Sequence, residues 1–490
     1  MSNFSADFLV KKLRNSASLA ALSLSLVFAG GMSVASAESL QDALVATYGS
    51  NPTLQAARAE LRATDENVNQ ALANWRPSIS ATGTSQFSQS DNDLRAGAGF
   101  AALSSSKDDR TTNTGTVTVQ QNIFRGGRTV SQTRQAKAQV AAGRAQLTST
   151  EQDVLLSAVT AYMDVLRDTA TVELNQNNVS VLQRQLEASQ DRFDVGEITR
   201  TDVAQSEARL SRSESSLIQA QANLINSRAT YERVVGSAPG TLQAAPDLPP
   251  LPESEDAALA TATVNNPTLA AARFAEEASR HAIRTAQGSL LPTLTVQGDY
   301  SQSDNPSTTV KSSESASVTG RLTIPLYQSG AEYSQIRQAK QLNSQSRLQI
   351  REATRSVEEG VASAWENYRA ANARIVSDRE QVRANEIALD GVQQEAQVGS
   401  RTTLDVLDAE QELLDSRVAL VTSERNAYVA AYQLLSAIGR LNANYLALPV
   451  DQYDPSENYD DVSGQWIGWG IDDEPDDVAP ESGTDAASQL

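Results

Sequence analysis

Three charged residues stand close together in VGSRTTLDVLDAEQELL at residues 398–414: Arg401, Asp405 and Asp408. Two carboxylates three residues apart share one face of a helix. Such a pair concentrates negative charge that attracts cations. A sister stretch, VGEITRTDVAQSEARL at residues 195–210, keeps the glycine and one aspartate, Asp202. It has Ile198 in place of Arg401 and Gln205 in place of Asp408. In both stretches a glycine (Gly196, Gly399) is placed to end one helix in the left-handed conformation. Thr199-x-x-Asp202 and Thr402-x-x-Asp405 are then placed to start the next helix as capping boxes. Capping accounts for the shared aspartate, which also sits well in the helix dipole. It does not account for Arg401 and Asp408.

Covalent chemistry has little to work with. The chain has no cysteine, hence no disulfide and no thiolate metal site. Its single histidine, His281, falls in a polar helical stretch. No cofactor and no enzyme activity are expected. A net charge of −20 speaks against nucleic acid as a partner. Aromatic residues at 5% and hydrophobic residues at 40% are thin for a compact core of this length, and suit long exposed helices instead.

The elements that position these charges are written twice. NPTLQAAR at residues 51–58 returns as NPTLAAAR at 266–273, and SQTRQAK at 131–137 returns as SQIRQAK at 334–340. The first pair is offset by 215 residues and the second by 203, so the first copy carries 12 extra residues, between Gly83 and Gly127. These belong to a polar, glycine-containing loop that includes residues 95–109. Within each copy two runs of about ten residues alternate with period two, through Ile79, Ala81, Gly83 and Phe87, then Val117, Val119 and Ile123. The second copy does the same through Leu294, Val296, Gly298 and Tyr300, then Val318, Gly320, Leu322 and Ile324. Ten residues is the length of a tilted strand that crosses a bilayer.

Helices fill the rest. Val165, Val172, Val179, Leu186 and Phe193 hold a seven-residue step, repeated as Tyr368, Ile375, Val382, Leu389 and Ala396, which predicts a coiled-coil seam. One helix is expected over 128–192, with shorter ones over 52–75 and 201–235 stacked alongside it. Four strands cannot stand alone in lipid, because an open sheet leaves two edges of unsatisfied backbone groups. Single-chain barrels begin at eight strands. Three chains would close twelve strands above a hollow cylinder of helices.

The N-terminus reads as a signal peptide over residues 1–37: Lys11, Lys12 and Arg14, an apolar run at 19–29, and Ala35-Ser36-Ala37 as the cleavage site. Repeat 1 is expected over 38–245, a proline-rich linker over 246–254, repeat 2 over 255–448 and an acidic, partly disordered tail over 449–490. A secreted trimeric coiled-coil adhesin or structural stalk is the alternative, although it leaves the four strands unexplained.

The paired NPxLxAAR motifs, AYMDVLR at 161–167 with AWENYRA at 364–370, RFDVGEITRTDV at 192–203 and VGSRTTLDVLDAEQELL together resemble TolC-type outer-membrane efflux proteins. The resemblance runs from Glu38 to about Leu448. YDPSENYDDVSGQWIGW at 453–469 is similar to the C-terminal signature of alphaproteobacterial members. The resemblance implies a mixed α/β channel-tunnel: a homotrimer with a β-barrel in the outer membrane and an α-helical tunnel in the periplasm. It implies a periplasmic adaptor (membrane fusion) protein, and an inner-membrane RND, ABC or MFS transporter, as partners in exporting small molecules or proteins. By the same resemblance, Asp405 and Asp408 line the tunnel entrance as an acidic ring. Arg401 ties neighbouring chains through Thr201 and Asp202, and the hairpin tips at Val195, Gly196, Val398 and Gly399 dock the adaptor. The family's gate tyrosine corresponds to Ala396. Six converging carboxylates would raise the pKa of some members by like-charge repulsion.

Overall fold

The computed structural model describes residues 37–92 and 106–468. All but the last residue of the expected signal peptide, residues 93–105 of the longer loop, and residues 469–490 at the acidic end of the chain lie outside the described residues. Two short helices, α1 (Leu40–Ser50) and α2 (Pro52–Ala73), lead into strands β1 (Ser78–Asn92) and β2 (Ser106–Arg125), then α3 (Arg128–Asp194) and α4 (Arg200–Val235). The order recurs as α5 (Glu255–Asn265), α6 (Pro267–Gln287), β3 (Thr293–Ser307), β4 (Val310–Thr323), α7 (Ala331–Gln397) and α8 (Thr403–Ala437). A short α9 (Glu457–Ser463) follows.

The repeated Asn-Pro pair has a double task. Asn51 and Asn266 cap α2 and α6, each with proline in the first turn, where its missing N–H is no loss. Their amide groups also reach across, Asn51 Nδ2 to Val234 O at 2.8 Å and Asn266 Nδ2 to Ala437 O at 3.0 Å. The motif therefore clasps the start of each short helix to the end of α4 or α8. Two helices of 67 residues, α3 and α7, each run about 100 Å. Gly143 does not break α3; it makes room for α2, since a Cβ there would sit 3.2 Å from Leu61 Cδ1.

The four strands form one antiparallel sheet in the order β1-β2-β3-β4, and the register sorts side chains cleanly. Ile79, Val119, Gly298 and Val318 fall in one row, and Ala81, Val117, Tyr300 and Ala316 in another. The intervening rows are Ser80, Thr118, Asp299, Ser317 and Thr82, Thr116, Ser301, Ser315. Over these rows one face is apolar and the other lined with hydroxyls and a carboxylate, the alternation of a barrel wall between lipid and water; further from the helices the apolar face turns polar, at Gln302, Glu314 and Asp304. The strands, at 14 to 20 residues, are longer than the ten expected. Residues 106–109, expected in the loop, are the start of β2, because they pair with Gln89–Asn92.

The main core lies halfway down the long helices, where α1 and the end of α8 pack on α3 and α5 packs on α7, around Leu155, Val159, Tyr162, Leu434 and Ile438. Tyr162 donates to Glu38 O at 3.0 Å and Gln243 O at 2.8 Å, which moors the start of the described chain. Leu248 and Leu251 of the proline-rich segment pack on the same core. Below it the coiled-coil expectation is half right. Val172, Val179 and Leu186 are only half-buried and Phe193 is exposed. The fully buried line on α3 is Asp168, Asn175, Leu182 and Ser189, facing Ser206, Ser213, Ala220 and Ser227 on α4. Both lines keep the seven-residue step. Ser189 and Ser206 hydroxyls meet at 3.1 Å and Asn178 Nδ2 donates to Ser213 Oγ at 2.9 Å. Small polar residues let the helices approach and satisfy one another, and a search for apolar periodicity passes over them.

Candidate functional site at the hairpin ends

The turn after α3 and the turn after α7 are built alike. Gly196 (φ +80°) and Gly399 (φ +78°) take the left-handed conformation that ends each helix. Glu197 N then donates back to Arg192 O at 2.9 Å, and Ser400 N to Glu395 O at 3.0 Å. Thr199 and Asp202 form a reciprocal capping box, as do Thr402 and Asp405. The aspartate carboxylate accepts from the threonine N–H at 2.9 Å, and the threonine hydroxyl from the aspartate N–H at 3.3 Å, in both turns. Both boxes expected from sequence are present. Val195 and Val398 project from the tips, 72% and 80% exposed.

The charges differ. Arg401 Nε lies 2.8 Å from Glu395 Oε2, stapling the loop to the last turn of α7. Within one chain it therefore meets its own turn, and not Thr201, which is exposed on the first turn of α4, or Asp202, which is occupied as a cap. The sister turn has the same staple with the charges exchanged: Arg192 Nε to Glu197 Oε2 at 3.1 Å. Arg192 stands where the other copy has Glu395. The sister turn, with Ile198 in place of Arg401, therefore does not go without an arginine. It uses one from the helix side.

Asp408 has no such counterpart. Its carboxylate pairs with Arg209, so α8 of one hairpin is tied to α4 of the other. The sister positions are Gln205 and Glu412, which cannot form this pair. A crevice of about 240 Å³ opens between Ser189 and Arg192 on α3, Gln393 and Ala396 on α7 and Val406 on α8. The alanine leaves this space unfilled. Asp405 is held by its own turn. Hydrogen bonds from the Thr402 N–H and hydroxyl, helped by the nearby Arg401, hold its carboxyl below the usual carboxylate range. Arg209 was missed from sequence because nothing in its spacing marks a partner on another helix.

Among the described residues there is no cluster of histidines and carboxylates able to hold a metal, and no helix long and apolar enough to cross a membrane. The family model described as "Outer membrane efflux protein" matches residues 43–237 and 258–440, strands and hairpins alike. The chain is 37% identical over 432 residues to the outer membrane efflux protein BepC of Brucella suis biovar 1 (strain 1330), spanning 88% of this chain and 92% of that one. It is 27% identical over 445 residues to the outer membrane protein TolC of Escherichia coli (strain K12), spanning 86% of each. In fold it superposes on the outer-membrane channel OprN with a TM-score of 0.70, over 82% of this chain and 89% of that one, at 20% identity. A match that runs through strands as well as helices leaves the adhesin or stalk reading without support. Two tandem copies of a strand pair on a long helical hairpin, ending in capped and charged turns, are the build of a channel-tunnel, and the chain belongs to the outer membrane efflux protein family, exit ducts of efflux and type I secretion systems in the outer membrane.

Proposed function

We propose that three copies of the chain assemble into the working duct, with the hairpin ends as its periplasmic mouth. The observation that carries this is the sheet: four strands with two free edges and one apolar face. In lipid those edges need partners. An up-and-down sheet with an even number of strands presents β4 antiparallel to β1 of the next copy, so threefold repetition closes twelve strands. The two repeats, 38–245 and 255–448, with 246–254 between them, then alternate around the ring and bring six hairpin ends to one level. Mass measurement of the detergent-solubilised protein should give three chains; a stable monomer or dimer would overturn the reading.

At the mouth, Asp405 and Asp408 supply the acidic ring and attract cations into the tunnel. Arg401 reaches Thr201 and Asp202 of a neighbouring chain when the mouth is shut, exchanging its Glu395 staple for that contact. The exposed valines Val195 and Val398, with Gly196 and Gly399, form the tips on which a periplasmic adaptor docks, and an inner-membrane RND, ABC or MFS transporter feeds the duct. With Ala396 at the family's tyrosine position, the Arg209–Asp408 pair holds the two hairpins of each chain together. Support for that role comes from its place: it joins α4 of one hairpin to α8 of the other.

A further inference from the structure

The chain does not stop where α8 ends. Residues 449–468 form a strap whose path is set by successive contacts with α2. Arg58 lies between the rings of Tyr48 and Tyr453, 4.6 and 5.1 Å from their centroids. Asn458 Nδ2 donates to the buried Asp65 Oδ2 at 3.0 Å, and Tyr459 packs over Val68, Ala136 and Val140. Arg76 Nη1 then donates to Gln465 O at 2.6 Å, with its guanidinium 5.0 Å from the Trp466 ring centroid. As the strap advances, its partners on α2 advance in the same direction. It climbs roughly 27 Å up the helix and finishes beside Arg76, two residues before β1 begins at Ser78.

At that level, among the described residues, the strap leaves apolar surface uncovered apart from the Arg76 guanidinium on the Trp466 ring. Trp466 is 66% exposed and Ile467 97%. Leaving both in water at the end of a segment held by polar contacts forgoes the free energy of burying them. The surface continues into the barrel: Trp75, Ile123 and Phe124 are exposed at the strand bases, and the apolar rows of the sheet begin just above, at Ile79 and Val119. The opposite face of the sheet is lined with serine and threonine, so an apolar extension belongs to the lipid side. Arg76 and Arg125 sit at the same height, next to the strand bases, and complement the phosphates of a headgroup layer. Tryptophan, with an apolar ring and one N–H donor, is favoured at that boundary.

We propose that the C-terminal strap contacts the membrane: Trp466 and Ile467 enter the boundary between headgroups and acyl chains in the periplasmic leaflet of the outer membrane. In a trimer, three straps set the height of the helical tunnel against the bilayer. The proposal rests on the barrel reading above. The chain has no cysteine, so a single nitroxide can be placed on the full-length protein in phosphatidylethanolamine–phosphatidylglycerol vesicles through Ile467→Cys. Ile79→Cys on the apolar face of the sheet gives the lipid reference, and Glu253→Cys in the exposed linker gives the aqueous one. The ratio of oxygen to nickel-chelate accessibility at 467 should be several-fold above that at 253 and approach that at 79. In chains keeping one tryptophan, lipids brominated near the ester end should quench Trp466 but not Trp365, which lies roughly 50 Å down α7. A label at 467 as open to the nickel chelate as 253 would overturn the proposal by placing the strap in water. A label shielded from both probes would overturn it by placing another copy or another protein there. Absence of lipid contact at Ile79 would instead sink the barrel reading, and the strap proposal with it.

Discussion

The two hairpin ends share a skeleton and differ in wiring. Each has a left-handed glycine, a bond from the loop back to the helix, and a threonine–aspartate box with matching distances. Each also has an arginine–glutamate staple, with the arginine on the helix in one and on the loop in the other. The presence of Arg401 in one copy alone is therefore weak evidence for a special role, because Arg192 does its mechanical work in the sister. What the second hairpin has alone is Asp408, together with an arginine on the other hairpin to meet it. Shared features turn the chain; the unshared one couples the two turns.

The largest effect expected is from uncoupling them. Arg209→Ala should raise the conductance of the closed duct in planar bilayers, because each half-exposed pair contributes up to about 1 kcal/mol, or about fivefold in an opening equilibrium, and three are lost together. Glu412→Ala, at the sister position of Arg209, should leave conductance unchanged; equal effects from both would break the comparison. Next in size, Ala396→Tyr should fill the crevice between α3 and α7 and lower conductance, and an unchanged or higher value would show that the crevice is not part of the closed state. The staples allow a finer test. Arg401→Ser should raise conductance more than Arg192→Ser if Arg401 also serves between chains. Exchanging charges with Glu395→Arg and Arg401→Glu restores the staple only, so it should not restore the closed state. Identical behaviour of the two serine variants would reduce Arg401 to a staple.

The smallest effects concern the caps. Thr199→Ala and Thr402→Ala should each loosen the first turn of the following helix by about 1 kcal/mol, read as faster amide exchange and equal in both hairpins. The acid response carries a sign. The folded-state pKa of Asp405 lies below its ordinary value. Its contribution is thus complete above the ordinary carboxylate range, about 3.9, and is lost only as pH falls through the depressed value. Protection of the first turn of α8 should survive at pH 4. Loss well above that would mean that repulsion among neighbouring carboxylates overrides the cap.

Much of this was legible in the sequence, for physical reasons. Strands on a barrel wall must alternate, so Ile79 to Phe87 and Leu294 to Tyr300 announced themselves, and the left-handed glycines and capping boxes are local patterns that need no tertiary knowledge. The coiled-coil seam was only half legible, because Ser189, Ser206, Asn178 and Ser213 pack by hydrogen bonds and small size. Arg209–Asp408 and Arg192–Glu197 were not legible: the first joins residues about two hundred positions apart, and the second conceals its equivalence by exchanging charges. The strap was noticed as a motif, but its climb along α2 depends on contacts between Tyr48, Asp65 and Arg76 and residues some four hundred positions later.

The central claim is that the second hairpin alone carries the cation-selecting charge, although both hairpins carry the same cap. Single-channel recording with a multivalent cation added from the periplasmic side tests it most directly, comparing Asp405→Ala with Asp408→Ala against Asp202→Ala with Gln205→Ala. Both double variants lose one capping box, so any effect of fraying is common to the two. The first should lose cation selectivity and multivalent block while the second keeps both. Block retained in the first variant, or lost equally in the second, would contradict the account and leave these aspartates as helix caps.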